Sequence, residues 1–164
     1  RAGAEIILIC ANTMHLCSPA IVQNVSIPLL HIAEATGKAI VEKNVKKVAL
    51  LGTKFTMEKD FYKDILTNQF GIEVLIPTES ERDAIHKIIY GELTQGIISD
   101  ESREVYKSII KNLENKGAEG VILGCTEIPL LIEPSDVDIP TFNTTKIHAE
   151  GAVEWALQDL KVAN

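Results

Sequence analysis

Cys125 follows the apolar run Val121-Ile122-Leu123-Gly124 and precedes Thr126-Glu127-Ile128-Pro129. That order predicts a thiol at the carboxyl end of a buried strand, where the chain enters a short helix. Free N–H groups and partial positive charge at a helix start lower a thiol's pKa, so a thiolate accessible near neutral pH is expected. Such a group attacks as a nucleophile or carries a proton. Its bland alternative is a small buried hydrophobe. A second candidate cluster is Ala11-Asn12-Thr13-Met14-His15. Asn12 and Thr13, with nearby backbone N–H groups, suit a carboxylate, although both residue types also cap helices routinely. His15 suits orienting or polarising a catalytic group, or plain packing. Gly52-Thr53-Lys54-Phe55-Thr56 follows the strand ending at Leu51 and offers an anion-binding turn, with Thr56 equally suited to capping the next helix. Cys10 lies next to Ala11, but strand alternation points it to the opposite face, and Cys17 falls in a helix.

The elements that must position these residues are strands alternating with helices. Ile6–Ile9, Val48–Leu51 and Val121–Leu123 are continuously apolar, as strands buried on both faces should be. Helical periods run over 31–44, 57–69, 80–95, 101–116 and 146–160, and Gly71 and Gly117 sit at expected helix ends, each shortly before an apolar strand. This pattern predicts βαβ units with parallel sheets and helices on both faces.

An internal repeat organises the elements. Residues 3–13 align with residues 117–127 at an offset of 114, placing Gly3-Ala4-Glu5 on Gly117-Ala118-Glu119 and Ala11 on the Gly124-Cys125 corner. Ile27-Pro28 aligns with Ile139-Pro140, each leading into a helix. The second copy is preceded by two strand–helix units, residues 45–116; the first has nothing before it. About 70 residues are therefore expected to be missing ahead of Arg1, the length of two such units. The expected fold is α/β, with two pseudo-symmetric three-layer α/β/α halves, parallel sheets and an incomplete first half. Residues 1–27 plus 141–164 would form the remainder of the first half, and 28–140 the second. A ligand cleft is expected between the two equivalent strand ends.

Composition narrows the function classes. A net charge of −7 disfavours nucleic acid as a partner. No apolar run reaches the roughly 18 residues of a membrane helix. Three cysteines without metal-ligand spacing predict neither a disulfide framework nor a metal site, and a cytoplasmic location is expected.

Together the quoted motifs resemble the aspartate/glutamate racemase superfamily over the whole chain. Gly124-Cys125-Thr126-Glu127-Ile128-Pro129-Leu130-Leu131 is similar to aspartate-racemase-like members. Asn12-Thr13-Met14-His15 is similar to the first-half motif, and Gly52-Thr53 with Thr56 to a substrate-carboxylate loop. The resemblance implies an N-terminally truncated member lacking a first strand and a Gly-Gly-Met loop. It implies racemisation with neither pyridoxal phosphate nor metal, using two facing acid/base groups, and a homodimer. Cys125 would be one such group. Asn12, Thr13, Thr53, Thr56, Thr126 and Glu127 would bind a small amino-acid or dicarboxylic-acid substrate. The departure is Ala11, at the position of the family's partner cysteine. A methyl group exchanges no proton. Four readings follow: a one-base lyase, decarboxylase or isomerase; a racemase using another residue or water; a small-acid binding member; or an engineered replacement.

Overall fold

Leu50 and Leu51 have no solvent exposure, and neither do Val48, Ala49, Val121 and Ile122. Runs this apolar form central strands, and in the computed structural model, which describes residues 3–162 with side chains through residue 157, they do so. Residues 1–2 and 163–164 of the expected first half lie outside the described residues.

In chain order the elements are β1 (Ile7–Leu8), α1 (Ser18–Asn24), β2 (Leu29–Leu30), α2 (Ile32–Glu42), β3 (Lys47–Gly52), α3 (Lys54–Glu58) and α4 (Asp60–Phe70). They continue as β4 (Glu73–Leu75), α5 (Glu79–Gly91), α6 (Asp100–Asn115), β5 (Gly120–Gly124), α7 (Ile128–Leu131), β6 (Thr141–Asn143) and α8 (Thr144–Val162). The larger sheet has strand order β4-β3-β5-β6, all parallel. From β3 the chain moves first to one side, to β4, and then to the other, to β5. The order therefore reverses between β3 and β5, and open α/β sheets bind ligands outside the strand carboxyl ends at such a reversal.

Alternation sorts the two faces of this sheet. Ala49, Leu51, Val121 and Leu123 pack with Ile85 and Ile89 of α5 and Ile110 and Leu113 of α6. Val48, Leu50, Ile122 and Phe142 pack with Ile32 and Ile40 of α2 and Tyr62 and Leu66 of α4. The result is the expected helix–sheet–helix sandwich.

The internal repeat is visible in the backbone. Ile7 pairs with Leu29 and Leu8 with Leu30, as Val121 pairs with Thr141 and Ile122 with Phe142. The Ile7 N–H donates to Pro28 O at 2.9 Å, and the Val121 N–H to Pro140 O at 2.8 Å. The next helix in each copy is capped by a side chain: His31 Nδ1 accepts from the Ala33 N–H, and Asn143 Oδ1 from the Lys146 N–H. These two helices pack on each other, and α8 touches both sheets. α2 packs on the larger sheet, while α8 reaches β2, where His148 Nε2 donates to Leu30 O at 2.8 Å.

Two elements depart from the periodic expectation. The helix expected over 57–69 is two helices, broken at Lys59, which is extended at ψ 153°. Its start moves forward to Lys54 because Thr53 Oγ1 accepts the Thr56 N–H, so Thr53 and not Thr56 is the cap. The strand expected over 6–9 shortens to two residues, with a bend at Cys10-Ala11. Gly71 ends α4 in the left-handed region at φ 67°, as its position predicts. Among the described residues no helix is long and apolar enough to cross a membrane.

Candidate active site

At the reversal, β3 and β5 end on a glycine pair in register, Gly52 opposite Gly124. A Cβ on Gly124 would lie 2.7 Å from Leu51 O, and one on Gly52 2.8 Å from Gly124 O. Only glycine lets the two backbones approach this closely, and the next residues, Thr53 and Cys125, emerge side by side from that contact.

Cys125 is buried, and its thiol donates to Glu127 Oε2 at 2.9 Å. Burial and this carboxylate push the thiol up to about 12. The expectation of a lowered thiol pKa is thus corrected. α7 is a single turn and Glu127 occupies its N-cap, so a negative charge stands where positive dipole was expected. Burial acts to raise the Glu127 carboxyl, but the Cys125 thiol, the Thr126 hydroxyl and its own backbone N–H outweigh this and hold it below the ordinary value. The resting pair is a protonated thiol on a carboxylate.

Opposite β5 in the repeat, Asn12 and Thr13 do not cap the short 3-10 turn that carries them. Thr13 Oγ1 lies 2.9 Å from Thr53 Oγ1 and 3.1 Å from Thr56 Oγ1, and the latter two are 3.2 Å apart. Three hydroxyls drawn from two distant segments thus form one cluster. Asn12 Nδ2 donates to Thr144 Oγ1 at 3.0 Å, and that hydroxyl donates to Leu123 O at 2.9 Å. Because a carbonyl only accepts, the Thr144 proton is committed, and the Asn12 amide must face Thr144 with its NH2 group. Asn12 Oδ1 is then left buried without a partner, the one such side-chain atom among the described residues. A buried acceptor without a donor is costly, so this atom is suited to a ligand N–H.

His15 is fully buried and spends both ring nitrogens. Nε2 accepts the Ile32 N–H at 3.1 Å, so Nδ1 carries the proton and donates to Ala11 O at 2.9 Å. Burial lowers its pKa, with the charge of His148 adding to the effect. It therefore anchors the Ala11 loop and is not free to carry a proton. His31 packs 4.5 Å from His15 and His148 5.7 Å from it, centroid to centroid. Sequence reasoning missed this trio, since positions 15, 31 and 148 have no common spacing. Its only sequence trace is that His31 and Asn143 are equivalent caps in the repeat. Among the described residues no group could hold a metal ion.

Ala11 and Thr126 line one cavity of about 150 Å3, together with Cys10, Ile32 and His148. The two strand ends of the repeat therefore meet there. Cys10, expected on the far face, lines this cavity because the bend at Cys10-Ala11 ends strand alternation. No hydrogen bond joins Cys125 directly to the threonine cluster among the described residues; the Gly52–Gly124 contact links them.

Burial, aided by charge on His15 and His148, holds His31 down to about 4. The unfolded chain takes up this proton near pH 6.5 and the folded chain only near pH 4, so stability present above pH 6.5 is lost as pH falls towards 4. The expected loss is about 3 kcal/mol. Urea unfolding at pH 7 and pH 4.5 should show it, and His31→Asn, which keeps a capping acceptor, should remove most of it. An equal acid loss in that variant would contradict the assignment.

The Asp/Glu/Hydantoin racemase family model matches residues 1–152. The chain belongs to this family. Its fold is similar to a crystal structure of a candidate Asp/Glu racemase from Yersinia pestis, at TM-score 0.91 and 49% identity, covering 96% of this chain and 68% of that one. An aspartate racemase homologue from Pyrococcus horikoshii OT3 superposes at TM-score 0.87 with 40% identity, covering 96% and 69%. A broad specificity amino-acid racemase from Bacillus subtilis is 26% identical over 157 residues, which is 96% of this chain and 67% of that protein. The chain thus spans about two thirds of each.

Proposed function

We propose that this protein interconverts the enantiomers of an α-amino acid by removing and returning the Cα proton, with Cys125 as the acid/base on one face. The observation that carries this reading is the Cys125–Glu127 pair at the sheet's reversal, together with Asn12, whose amide is tied through Thr144 to Leu123 of the same strand and whose Oδ1 is unpartnered. In this reading the Thr13, Thr53 and Thr56 hydroxyls rotate from one another to donate to the substrate carboxylate, aided by Thr126. Asn12 Oδ1 accepts from the substrate ammonium. Carbanion-like charge at Cα then faces preorganised donors, the condition for removing so weakly acidic a proton. The ammonium, brought beside the thiol, favours the thiolate, and Glu127 accepts the thiol proton when Cys125 acts as base. When Cys125 acts as acid its protonated resting form is already in place. No pyridoxal phosphate or metal takes part. We further propose that the enzyme works in the cytoplasm as a homodimer; its cysteines, Cys10, Cys17 and Cys125, are unpaired.

Ala11 supports a second reading, in which Cys125 works alone as a one-base lyase or decarboxylase, or the site only binds small acids. A panel of D- and L-amino acids, aspartate and glutamate included, distinguishes them by chiral chromatography on protein dialysed against EDTA and hydroxylamine. Interconversion of both enantiomers is expected. Thermal stabilisation by ligands without interconversion or proton exchange would establish a binding protein instead.

A further inference from the structure

Thr144 is fully buried, and it opens α8 where the internal repeat puts the apolar Ile32 at the start of α2. A hydroxyl buried where the sister copy has a hydrocarbon side chain costs stability unless it is bonded. Its bonds join three segments of the chain. Oγ1 accepts from Asn12 Nδ2 at 3.0 Å and donates to Leu123 O at 2.9 Å. Asn12 lies in the bend after β1, and Leu123 stands on β5 two residues before Cys125. We propose that Thr144 is a positioning residue that sets the polarity of the Asn12 amide, and with it a preference for α-amino acids over 2-oxo acids. The inference rests on the reading above, in which Asn12 Oδ1 accepts from the substrate ammonium.

A single proton decides the polarity. Thr144 carries one on its hydroxyl, and Leu123 O, a carbonyl, can only accept it. Oγ1 therefore turns its lone pairs to Asn12, and the amide meets them with its NH2 group. A flipped amide would set Oδ1 against those lone pairs, or draw the Thr144 proton away from the carbonyl of a buried strand residue. Either arrangement leaves a buried polar group unmatched, which is costly. Oδ1 is thus held away from Thr144, buried and unpartnered. An ammonium group donates to that oxygen. A 2-oxo acid of the same length brings a second oxygen to it, and two acceptors repel. The hydroxyls of Thr13, Thr53 and Thr56 make no such distinction, because they meet the same carboxylate in both ligands and a hydroxyl can donate or accept.

The test is isothermal titration of the parent chain, Thr144→Val and Thr144→Ser, each with L-glutamate against 2-oxoglutarate and with L-alanine against pyruvate. Val keeps the shape of Thr but has no hydroxyl, so the Asn12 amide is free to turn its NH2 group to a ligand oxygen. The parent is expected to bind the amino acid at least tenfold more tightly in at least one pair. Thr144→Val should shrink that preference about tenfold, and Thr144→Ser should restore it to within threefold of the parent. A merely structural role would weaken both members of a pair alike and leave their ratio unmoved.

Thermal unfolding shows whether each variant folds. Where Thr144→Val does not, neutron diffraction from parent crystals in D2O decides: deuterons are expected on the Asn12 amide atom that faces Thr144, and deuterons on the other atom overturn the proposal. A preference within threefold of the parent in folded Thr144→Val overturns it, as does the same loss in Thr144→Ser, or a parent without a preference in either pair. A parent that prefers the amino acid yet neither interconverts enantiomers nor exchanges the Cα proton refutes the racemase reading alone. It supports the same role for Thr144 in a binding protein.

Discussion

Cys125→Ser is expected to lower racemisation about 10³-fold with KM changed little, the usual scale of a lost general acid/base. A hydroxyl of nearly the same size keeps the bond to Glu127 Oε2, now 2.9 Å from the thiol, so packing around β5 should survive. What it cannot do is hold the charge of a deprotonated state. Sulfur does so with difficulty here, being pushed up to about 12 by burial and by Glu127. Oxygen, intrinsically the weaker acid, would do so only at far greater cost. The measurement is kcat and KM for both enantiomers, with thermal unfolding to confirm an intact fold. A kcat within tenfold of the parent would show that the thiol is a packing residue.

Gly124→Ala should be the most damaging single change to the framework. The added methyl would lie 2.7 Å from Leu51 O and 3.1 Å from Leu50 Cδ1. Leu51 is held in register with Leu123 of β5 and has no solvent exposure, so its carbonyl cannot give way. Overpacking of this kind costs about 2 kcal/mol. For a chain of this size that lowers Tm by roughly 6 °C. The strain also moves Cys125, the next residue, so activity should fall further than stability accounts for. Gly91→Ala is the matched control, because a Cβ there meets nothing within 4 Å. Equal Tm and rate in the two variants would refute the role assigned to the glycine pair.

Much of this was legible in the sequence, for physical reasons. Val48–Leu51 and Val121–Leu123 are apolar on both faces, and only a strand covered by helices on each side accommodates that. The offset that aligns Gly3-Ala4-Glu5 with Gly117-Ala118-Glu119 also aligns the strand pairings of Ile7 and Val121. The meeting of Thr13 with Thr53 and Thr56 could be guessed only from motif resemblance, since those hydroxyls come from separate segments. The Cys125 environment was misjudged because local dipole reasoning ignores what occupies the N-cap. Glu127 was in plain view in the sequence, but its rotamer and the burial of the thiol were not. His148 was invisible to spacing altogether, because only the docking of α8 on β2 brings it to the cavity that Ala11 lines.

In the proposed reaction Cys125 moves the Cα proton on one face of an amino acid. This step is tested most directly by following Cα deuterium incorporation from D2O by mass spectrometry, comparing the parent chain with Cys125→Ser. Incorporation by the parent is expected, with a loss of about 10³-fold in the variant. Equal incorporation by both would contradict it.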